Sequence, residues 1–224
     1  MLQYRLARVQ DIPLLKGFAS EAFTRTFGSR YRPEDLLTYL SGEYTDENFV
    51  RWISDPKYQL WVALDATVLH GYLLCGPCGL PLNENLENCG EIKKLYVLPS
   101  CFGSGVSNCL MNIGLAWLHK AFPGDLFLGV DAENFRAQKF YQRFGFHQVS
   151  EYRYQVGDWY DRELIYKQVQ SPIAFRVGVL AIQGAVEEHI SCIRRLGCEA
   201  IEVYTSTYTA NHSAIVFIYL SCYV

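Results

Sequence analysis

The chain has 224 residues, of which half are apolar and 15% aromatic, and its formal charge is −3. This composition is typical of a globular protein with one good core and room for a small appendage, and its weak acidity gives no electrostatic reason to expect nucleic acid or a membrane surface as partner. The first residues carry charges where a signal peptide needs an apolar run, and no stretch reaches the roughly 18 apolar residues of a membrane helix, so we expect a cytoplasmic protein.

Helices are predicted first along the chain. Asp11 is a good N-cap for the first helix, and Pro33 suits the first turn of a second. Thr45 predicts the start of a third helix, which Pro56 ends. The apolar positions that support the three helices are Ile12, Leu15, Phe18, Ala19 and Ala22, then Leu36, Leu37 and Leu40, then Phe49, Trp52 and Ile53.

The pattern then changes to the two-residue period of strands, and later alternates between strand and helix. In chain order we predict a hairpin of strands at 59–64 and 69–74, a strand at 91–98, a helix from Val106, a strand at 126–130, a helix at 134–144, and two strands near 146–154 and 163–168. This order predicts a mixed α/β domain.

Eight cysteines raise the question of a redox or metal site. Cys75-Gly-Pro-Cys78 spells a thioredoxin-like motif, but that motif needs a helix that starts at its first cysteine, and loop-forming residues follow here. A zinc site built on Cys75, Cys78 and Cys89 lacks a convincing fourth ligand. We therefore expect reduced, buried or loop thiols and no metal.

A glycine loop follows the strand at 91–98. Gly103 and Gly105 precede the helix that begins at Val106, and such a loop offers backbone N–H groups and a helix N-terminus to a phosphate. A dinucleotide-binding fingerprint does not fit, because its third glycine falls on Asn108 and the acidic Asp125 precedes its strand instead of ending it.

Two segments carry recognisable motifs: the run Leu95-Tyr-Val followed by Phe102-Gly-Ser-Gly-Val-Ser107, and the run from Asn134 to Phe146, NFRAQKFYQRFGF. The first resembles the acetyl-CoA motif of the GNAT superfamily of N-acetyltransferases, and the second closely resembles the second motif of that superfamily. The resemblance covers about residues 3–168 and implies a GNAT fold: a mixed, mostly antiparallel central sheet flanked by helices, with acetyl-CoA as acetyl donor. Phe102 and Ser107 depart from the family's pattern, which implies weaker or altered binding of the cofactor.

The resemblance also implies residue roles. A substrate alkylamine, with a pKa near about 10, must lose a proton before it attacks a thioester, and the leaving thiolate needs a hydrogen-bond donor. Tyr141 matches the family's general acid, and Glu91 is the candidate general base; the alternatives are core packing for Tyr141 and an exposed strand carboxylate for Glu91. Cofactor-binding residues are expected at Leu95, Tyr96, Val97, Phe102, Gly103, Ser104, Gly105, Val106, Ser107 and Asn134, although Asn134 could also serve only as a helix cap.

The acceptor amine is less well defined. Residues 23–27 and 32–40 resemble the acceptor-side helices of GNAT proteins similar to the polyamine acetyltransferase PaiA, which implies a small-molecule amine, with a polyamine first. Acidic residues that could attract a polycation are Glu34, Asp35, Glu43, Asp46 and Glu47. Acetylation of a protein or peptide amine and idle acyl-CoA binding remain alternatives, and a homodimer is compatible with the family.

The C-terminal segment has a separate resemblance. Residues 175–203 resemble the N-terminus of the glutaminase subunit of pyridoxal 5′-phosphate synthase, but His189, Cys192 and Cys198 do not match a glutaminase triad. We therefore predict a domain over 1–170, a truncated glutaminase-like β-α fragment over 171–203 with no activity of its own, and an irregular tail over 204–224, as in a truncated or frame-shifted fusion.

Overall fold

The computed structural model describes residues 2–66, 68–169, 176–180 and 199–203. The chain divides into two compact units, Met1–Val169 and Gln170–Val224. In chain order, the first unit contains β1 Gln3–Leu6, α1 Ile12–Phe27, α2 Pro33–Glu43, α3 Asp46–Ser54, β2 Gln59–Asp65, β3 Val68–Pro77, β4 Gly90–Val97, α4 Val106–Ala121, β5 Leu126–Asp131, α5 Phe135–Gln142, β6 Phe146–Val156 and β7 Trp159–Gln168.

The strands of the first unit form one sheet in the order β1-β2-β3-β4-β5-β7-β6. Its neighbouring strands are antiparallel except β4 and β5, which are parallel. This confirms the predicted mixed, mostly antiparallel sheet flanked by helices. The short strand β1, which the residue pattern did not reveal, lies at the edge of the sheet, where Gln3 pairs with Leu64.

Helices cover both faces of this sheet. α4 lies on one face and buries Leu110, Met111 and Leu118 completely, while α1 and α3 contribute Leu15 and Phe49 to a second core on the other face. Burial on both sides fixes the position of the strands that carry the candidate site.

The helix ends follow the predicted capping pattern with one exception. The Thr45 hydroxyl accepts a hydrogen bond from the Asn48 backbone N–H at 3.1 Å and caps α3. Asp11 stands at the N-cap of α1, but its carboxylate accepts from the Arg5 guanidinium and the Arg8 backbone N–H instead of capping that helix.

The predicted apolar face of α2 was wrong at one position. Leu37 is 67% exposed, whereas Leu36 and Leu40 are half-buried and Asp35 is buried. The buried Asp35 accepts hydrogen bonds from Arg32 Nε and from the Asp158 backbone N–H, so the side of α2 that faces the domain is set by this contact and Leu37 points away from it.

The cysteines of the described residues are free thiols at positions 75, 78, 89, 101 and 109. Cys75 is buried inside β3, and no helix begins there. Burial raises the pKa of the Cys75 thiol well above its ordinary value and that of Cys78 to about 11, so neither resembles the activated thiol of a redox motif.

The second unit has two described strands, β8 Arg176–Leu180 and β9 Glu199–Val203, which pair in parallel. The predicted helix between them and the predicted tail at 204–224 lie outside the described residues, so the three-part division of the chain stays a prediction. Among the described residues, no helix combines the length and apolar character needed to cross a membrane.

Two glycines in helices of equal length make a matched test of how closely α4 packs on the sheet. A Cβ at buried Gly114 would lie 2.4 Å from Leu73 Cδ2, whereas one at exposed Gly17 in α1 would meet nothing within 4 Å. We expect Gly17→Ala to raise the free energy of unfolding by up to about 1 kcal/mol through helix propensity. Gly114→Ala should lower the free energy of unfolding by about 1 kcal/mol, because the cost of overpacking against the sheet exceeds the gain in helix propensity. Urea denaturation of both variants checks this; a stabilised Gly114→Ala variant would contradict it.

Candidate active site

The central feature of the site is a gap between β4 and β5. The two strands pair only over Gly90–Leu126, Glu91–Phe127 and Ile92–Leu128, and then separate. Beyond that point β4 stays paired with β3, and β5 stays paired with β7. The edge of β4 that faces the gap therefore has no strand partner over residues 93–97.

A β-bulge lies where the strands separate. Leu74 of β3 is opposite Lys94, and the next residue, Cys75, is opposite Ile92, so Lys93 has no partner in the ladder. A bulge bends its strand and increases the local twist. It is therefore the local feature that directs the second half of β4 away from β5.

The glycine loop follows β4 and a 3₁₀ turn at Pro99–Cys101. Gly103 and Gly105 have φ values of 78° and 90°, in the left-handed region that favours glycine. Gly105 is also the N-cap of α4. The loop therefore leads into a 16-residue helix whose N-terminus carries positive potential.

A cavity of about 760 Å³ opens at the gap. The predicted site residues that line it are Glu91, Leu95, Tyr96, Val97, Phe102, Asn134 and Tyr141. Five others lie in the loop and the first turn of α4 and outside the lining: Gly103, Ser104, Gly105, Val106 and Ser107. Of these, Val106 packs into the core and Ser104 donates its hydroxyl to the Cys101 carbonyl at 2.7 Å, so a phosphate role for them rests on backbone groups and stays a prediction.

Glu91 and Tyr141 share this cavity but differ in their contacts. Glu91 is 8% exposed, and its Oε2 accepts hydrogen bonds at 2.8 Å from both Lys93 Nζ and the Gly79 backbone N–H. Among the described residues no group hydrogen-bonds the Tyr141 hydroxyl, and burial together with Glu163 raises its pKa above the ordinary value for tyrosine. The phenol is thus protonated at neutral pH, which is the form that can donate.

Asn134 is the N-cap of α5. Its Oδ1 accepts from the Ala137 backbone N–H at 3.1 Å. Because Asn134 also lines the cavity, the capping role is present and the cofactor role remains a prediction.

Arg136 is a cavity residue that the sequence analysis did not select. Its guanidinium carbon lies 3.6 Å from the centre of the Phe102 ring, within the range of a cation–π contact. Phe102 is the position where the resembled motif has a polar or cationic residue, and Arg136 brings a cation to the same place. The Arg inside the second motif was the signal that could have identified it.

Three carboxylates from neighbouring strands form what we call the acidic wall of the cavity: Asp131 of β5, and Asp161 and Glu163 of β7. Asp131 and Glu163 are directly opposite each other in the β5–β7 ladder, and residues 161 and 163 share a face because strand side chains alternate. The residue pattern alone did not reveal this group, because the alignment of β7 with β5 is a tertiary property. The two-residue spacing of Asp161 and Glu163 was the available signal.

Two carboxylates of the acidic wall have partners and one does not. Asp131 accepts from Arg30 Nη1 at 2.6 Å, and Asp161 accepts from the Tyr31 hydroxyl and from Trp159 Nε1. Within the described residues, no hydrogen bond or ion pair reaches the Glu163 carboxylate. Burial, reinforced by Asp131 and Asp161, raises the pKa of Glu163 to about 8.

The acidic residues that the sequence suggested for attracting a polycation lie elsewhere, with one exception. Only Glu43 lines the cavity, where it forms an ion pair with Lys94 at 2.8 Å. Asp35 is held by Arg32, and Asp46 by Lys16 at 2.6 Å, outside the cavity lining. Of the six carboxylates of described residues that line the cavity, three belong to β5 and β7, because the hairpin of β6 and β7 inserts β7 beside β5.

Comparisons with known proteins agree on one family. A model of the acetyltransferase (GNAT) family matches residues 22–146. An uncharacterized N-acetyltransferase of Mycobacterium bovis is 26% identical over 136 residues, which is 61% of this chain and 83% of the relative.

Two solved structures resemble this chain over most of their length. The PaiA N-acetyltransferase of Thermoplasma acidophilum in complex with coenzyme A matches with a TM-score of 0.59 and 19% identity, over 75% of this chain and 99% of that one. The ribosomal-protein-alanine N-acetyltransferase of Brucella melitensis matches with a TM-score of 0.57 and 21% identity, over 75% and 99%. At these identities the two structures establish the fold.

The raised pKa of Glu163 predicts a pH-dependent stability. A carboxyl whose pKa is higher in the folded state contributes stability that is complete below the unfolded pKa, about 4.5, and is lost as pH rises through about 8. Glu163→Gln should therefore match the wild type near pH about 4 and exceed it by roughly 1–3 kcal/mol near pH about 9. Thermal and urea unfolding across this range measure the difference; a constant offset at every pH would refute the shifted pKa.

Proposed function

The chain belongs to the acetyltransferase (GNAT) family, and from that premise we propose that it transfers an acetyl group from acetyl-CoA to a primary amine by direct attack in a ternary complex. The observation that carries the proposal is the gap between β4 and β5, which opens a cavity beside the glycine loop. The same cavity therefore lies beside the glycine loop, which could bind phosphates, and beside the unpaired edge of β4, which could bind the pantetheine arm. It is also lined by carboxylates, which could bind a cationic amine.

The residues present fit such a donor. The unpaired edge of β4 over residues 93–97 offers backbone groups to the amides of the pantetheine arm. The left-handed glycines 103 and 105 bring backbone N–H groups and the N-terminus of α4 to the pyrophosphate. Acetyl-CoA, when bound, supplies a thioester whose carbonyl carbon accepts the amine nitrogen while the bond to sulfur breaks.

Tyr141 is proposed as the general acid. The C–N bond forms as the C–S bond breaks, and the phenol O–H donates its proton to the departing sulfur. The nitrogen then loses its second proton, which returns to the phenolate, so that the products are an N-acetyl amine and a free thiol and Tyr141 is regenerated. Because burial raises the pKa of Tyr141, the phenol is protonated at neutral pH and can donate a hydrogen bond to the sulfur. The burial of this side chain excludes water that would otherwise compete for the hydrogen bond.

The acceptor is proposed to be a cationic amine. The acidic wall lines the cavity on the β5–β7 side, and Glu91 of β4 and Glu43 of α2 also line it. Carboxylates in a partly enclosed space concentrate cations. A polyamine such as spermidine is the first candidate because its several ammonium groups match several carboxylates. An amine on a protein or peptide is the second, and idle binding of acyl-CoA is the outcome if no amine is acetylated.

The transferase proposal is tested by incubating the full-length protein with acetyl-CoA and a panel of polyamines, amino acids and peptides, with product detected by mass spectrometry. Tyr141→Phe should lower kcat by about 10²–10⁴-fold and leave the Kd for CoA within about threefold, because only the donated proton is removed. Calorimetric titration with CoA supplies the second readout. Equal turnover by wild type and Tyr141→Phe would remove the acid role without affecting the family assignment.

A second prediction concerns Arg136. If its guanidinium contacts the phosphates of the donor, Arg136→Ala should weaken CoA binding by about tenfold and reduce the salt dependence of the Kd. Arg143→Ala is the matched control, because Arg143 also stacks near an aromatic ring, at 5.4 Å from the centre of Phe140, but lies outside the cavity lining. Similar losses in both variants would mean that Arg136 acts only through the packing of α5.

A further inference from the structure

We propose that Glu163 is the general base that accepts the proton of the substrate ammonium, a role for which the sequence pointed to Glu91. The inference rests on the proposed transferase function and deepens it, because it assigns a reacting group within the same cavity. Five observations support it: the position of Glu163, its lack of a hydrogen-bond partner among the described residues, the absence of a side chain at Gly129, the hydrogen bonds that already engage Glu91, and the small difference between the pKa of Glu163 and that of the substrate ammonium.

Glu163 lines the cavity from β7, the strand beside β5. It lies on β7, opposite Asp131 of β5 on one side and opposite Tyr152 of β6 on the other. Like charges directly opposite in a sheet are unfavourable. For Asp131 the cost is offset by Arg30, whereas no donor or cation among the described residues makes a hydrogen bond or ion pair with the Glu163 carboxylate, which faces the cavity. A charged ligand group is the partner that such a carboxylate lacks.

Gly129 of β5 has no side chain in the space that the Glu163 carboxylate occupies. A Cβ at position 129 would lie 3.3 Å from Glu163 Oε2 and 3.2 Å from the Tyr152 hydroxyl, which is tighter than ordinary contacts. The absence of a side chain thus lets a carboxylate and a phenol from two neighbouring strands approach the β5 backbone at the cavity wall. A substrate nitrogen at this place would meet both groups.

Glu91 is less suited to the same task. Its Oε2 already accepts hydrogen bonds from Lys93 Nζ and from the Gly79 backbone N–H. A substrate ammonium would have to compete with these two donors for that oxygen. Its contacts tie the loop after β3 to the bulge in β4, which is the behaviour of a positioning residue.

The proton transfer proposed for Glu163 balances within the site. The substrate N–H bond breaks, an O–H bond forms on a Glu163 carboxylate oxygen, and the nitrogen lone pair becomes free to form the C–N bond. After the product leaves, the carboxylic acid returns the proton to water. No oxidant, metal or further reactant is needed.

The electrostatic surroundings favour this transfer. The pKa of Glu163, about 8, lies about two pH units below that of an alkylamine, whereas an ordinary glutamate lies about six below. The smaller mismatch makes Glu163 a better acceptor for this proton. The titratable groups that surround it are Asp131, Asp161, Arg30, Lys94, Tyr96, Tyr141, Tyr152 and Tyr154.

The test compares amines of different basicity on the full-length protein. Ethylamine and 2,2,2-trifluoroethylamine have similar size, but the second is largely unprotonated at neutral pH and does not have to lose a proton before it attacks. We expect Glu163→Gln to lower kcat/KM for ethylamine, and for any polyamine that turns over, by about 10²–10⁴-fold. The deficit should shrink at least about tenfold for trifluoroethylamine. Glu91→Gln should show a similar deficit with both amines, as expected of a positioning residue.

The control is Glu151→Gln on the neighbouring strand β6, where the carboxylate is exposed and pairs with Arg162. It should leave kcat/KM unchanged. Calorimetric titration with CoA on every variant should return the wild-type Kd, which shows that the cavity is intact.

Several outcomes overturn the inference, and they are distinguishable. A Glu163→Gln variant close to wild type, or one with equal deficits for both amines, removes Glu163 as the base while the transferase function stands. A Glu91→Gln deficit that depends on amine basicity returns the role to Glu91. A wild-type protein that binds CoA but acetylates none of the amines overturns the proposed function, and this inference with it.

Discussion

The separation of β4 from β5 is the constraint on which the rest of the site depends. A sheet normally satisfies the backbone groups of every interior strand, yet here the central pair makes only three cross-strand matches before it opens at the bulge of Lys93. The opening is sustained because β4 remains anchored to β3 and β5 to β7, with helices packed on both faces. An unpaired strand edge held in this way is a preformed binding surface for an extended, amide-containing donor.

The charges of the cavity are divided in a way that suits two oppositely charged substrates. Arg136 over Phe102, the left-handed glycines and the N-terminus of α4 make the cofactor side positive. The acidic wall makes the other side negative, and it is compensated at Asp131 and Asp161 but not at Glu163. A structure without function would gain stability by pairing or removing that carboxylate. Its retention in a partly buried place is therefore the physical basis for the proposed base.

Particular residues show how far the chain could be interpreted without a structure. The caps, the glycine loop and the motif from Asn134 to Phe146 are local patterns, and the element order that they predicted is confirmed except for β1, which has four residues and no clear period. Tyr141 and Glu91 were selected from motif position, and both line the cavity. The sequence did not point to Glu163, because the residues beside it in the sheet, Asp131 and Tyr152, are distant along the chain. It did not point to Arg136 either, because Phe102, which Arg136 contacts, was noted only as a departure from a motif.

The sequence by itself determined the mixed α/β architecture, the glycine loop before α4 and the family resemblance, because capping, turn chemistry and periodicity act between residues close along the chain. Only the tertiary structure decided which carboxylates face the cavity. The register between β5 and β7 places Glu163 opposite Asp131, and a bulge places Lys93 beside Glu91. As a result Glu91 is paired with a lysine, whereas Glu163 has no such partner among the described residues. Such choices depend on cross-strand alignment and on the charges that it brings together, and these interactions are set by folding rather than by sequence neighbours.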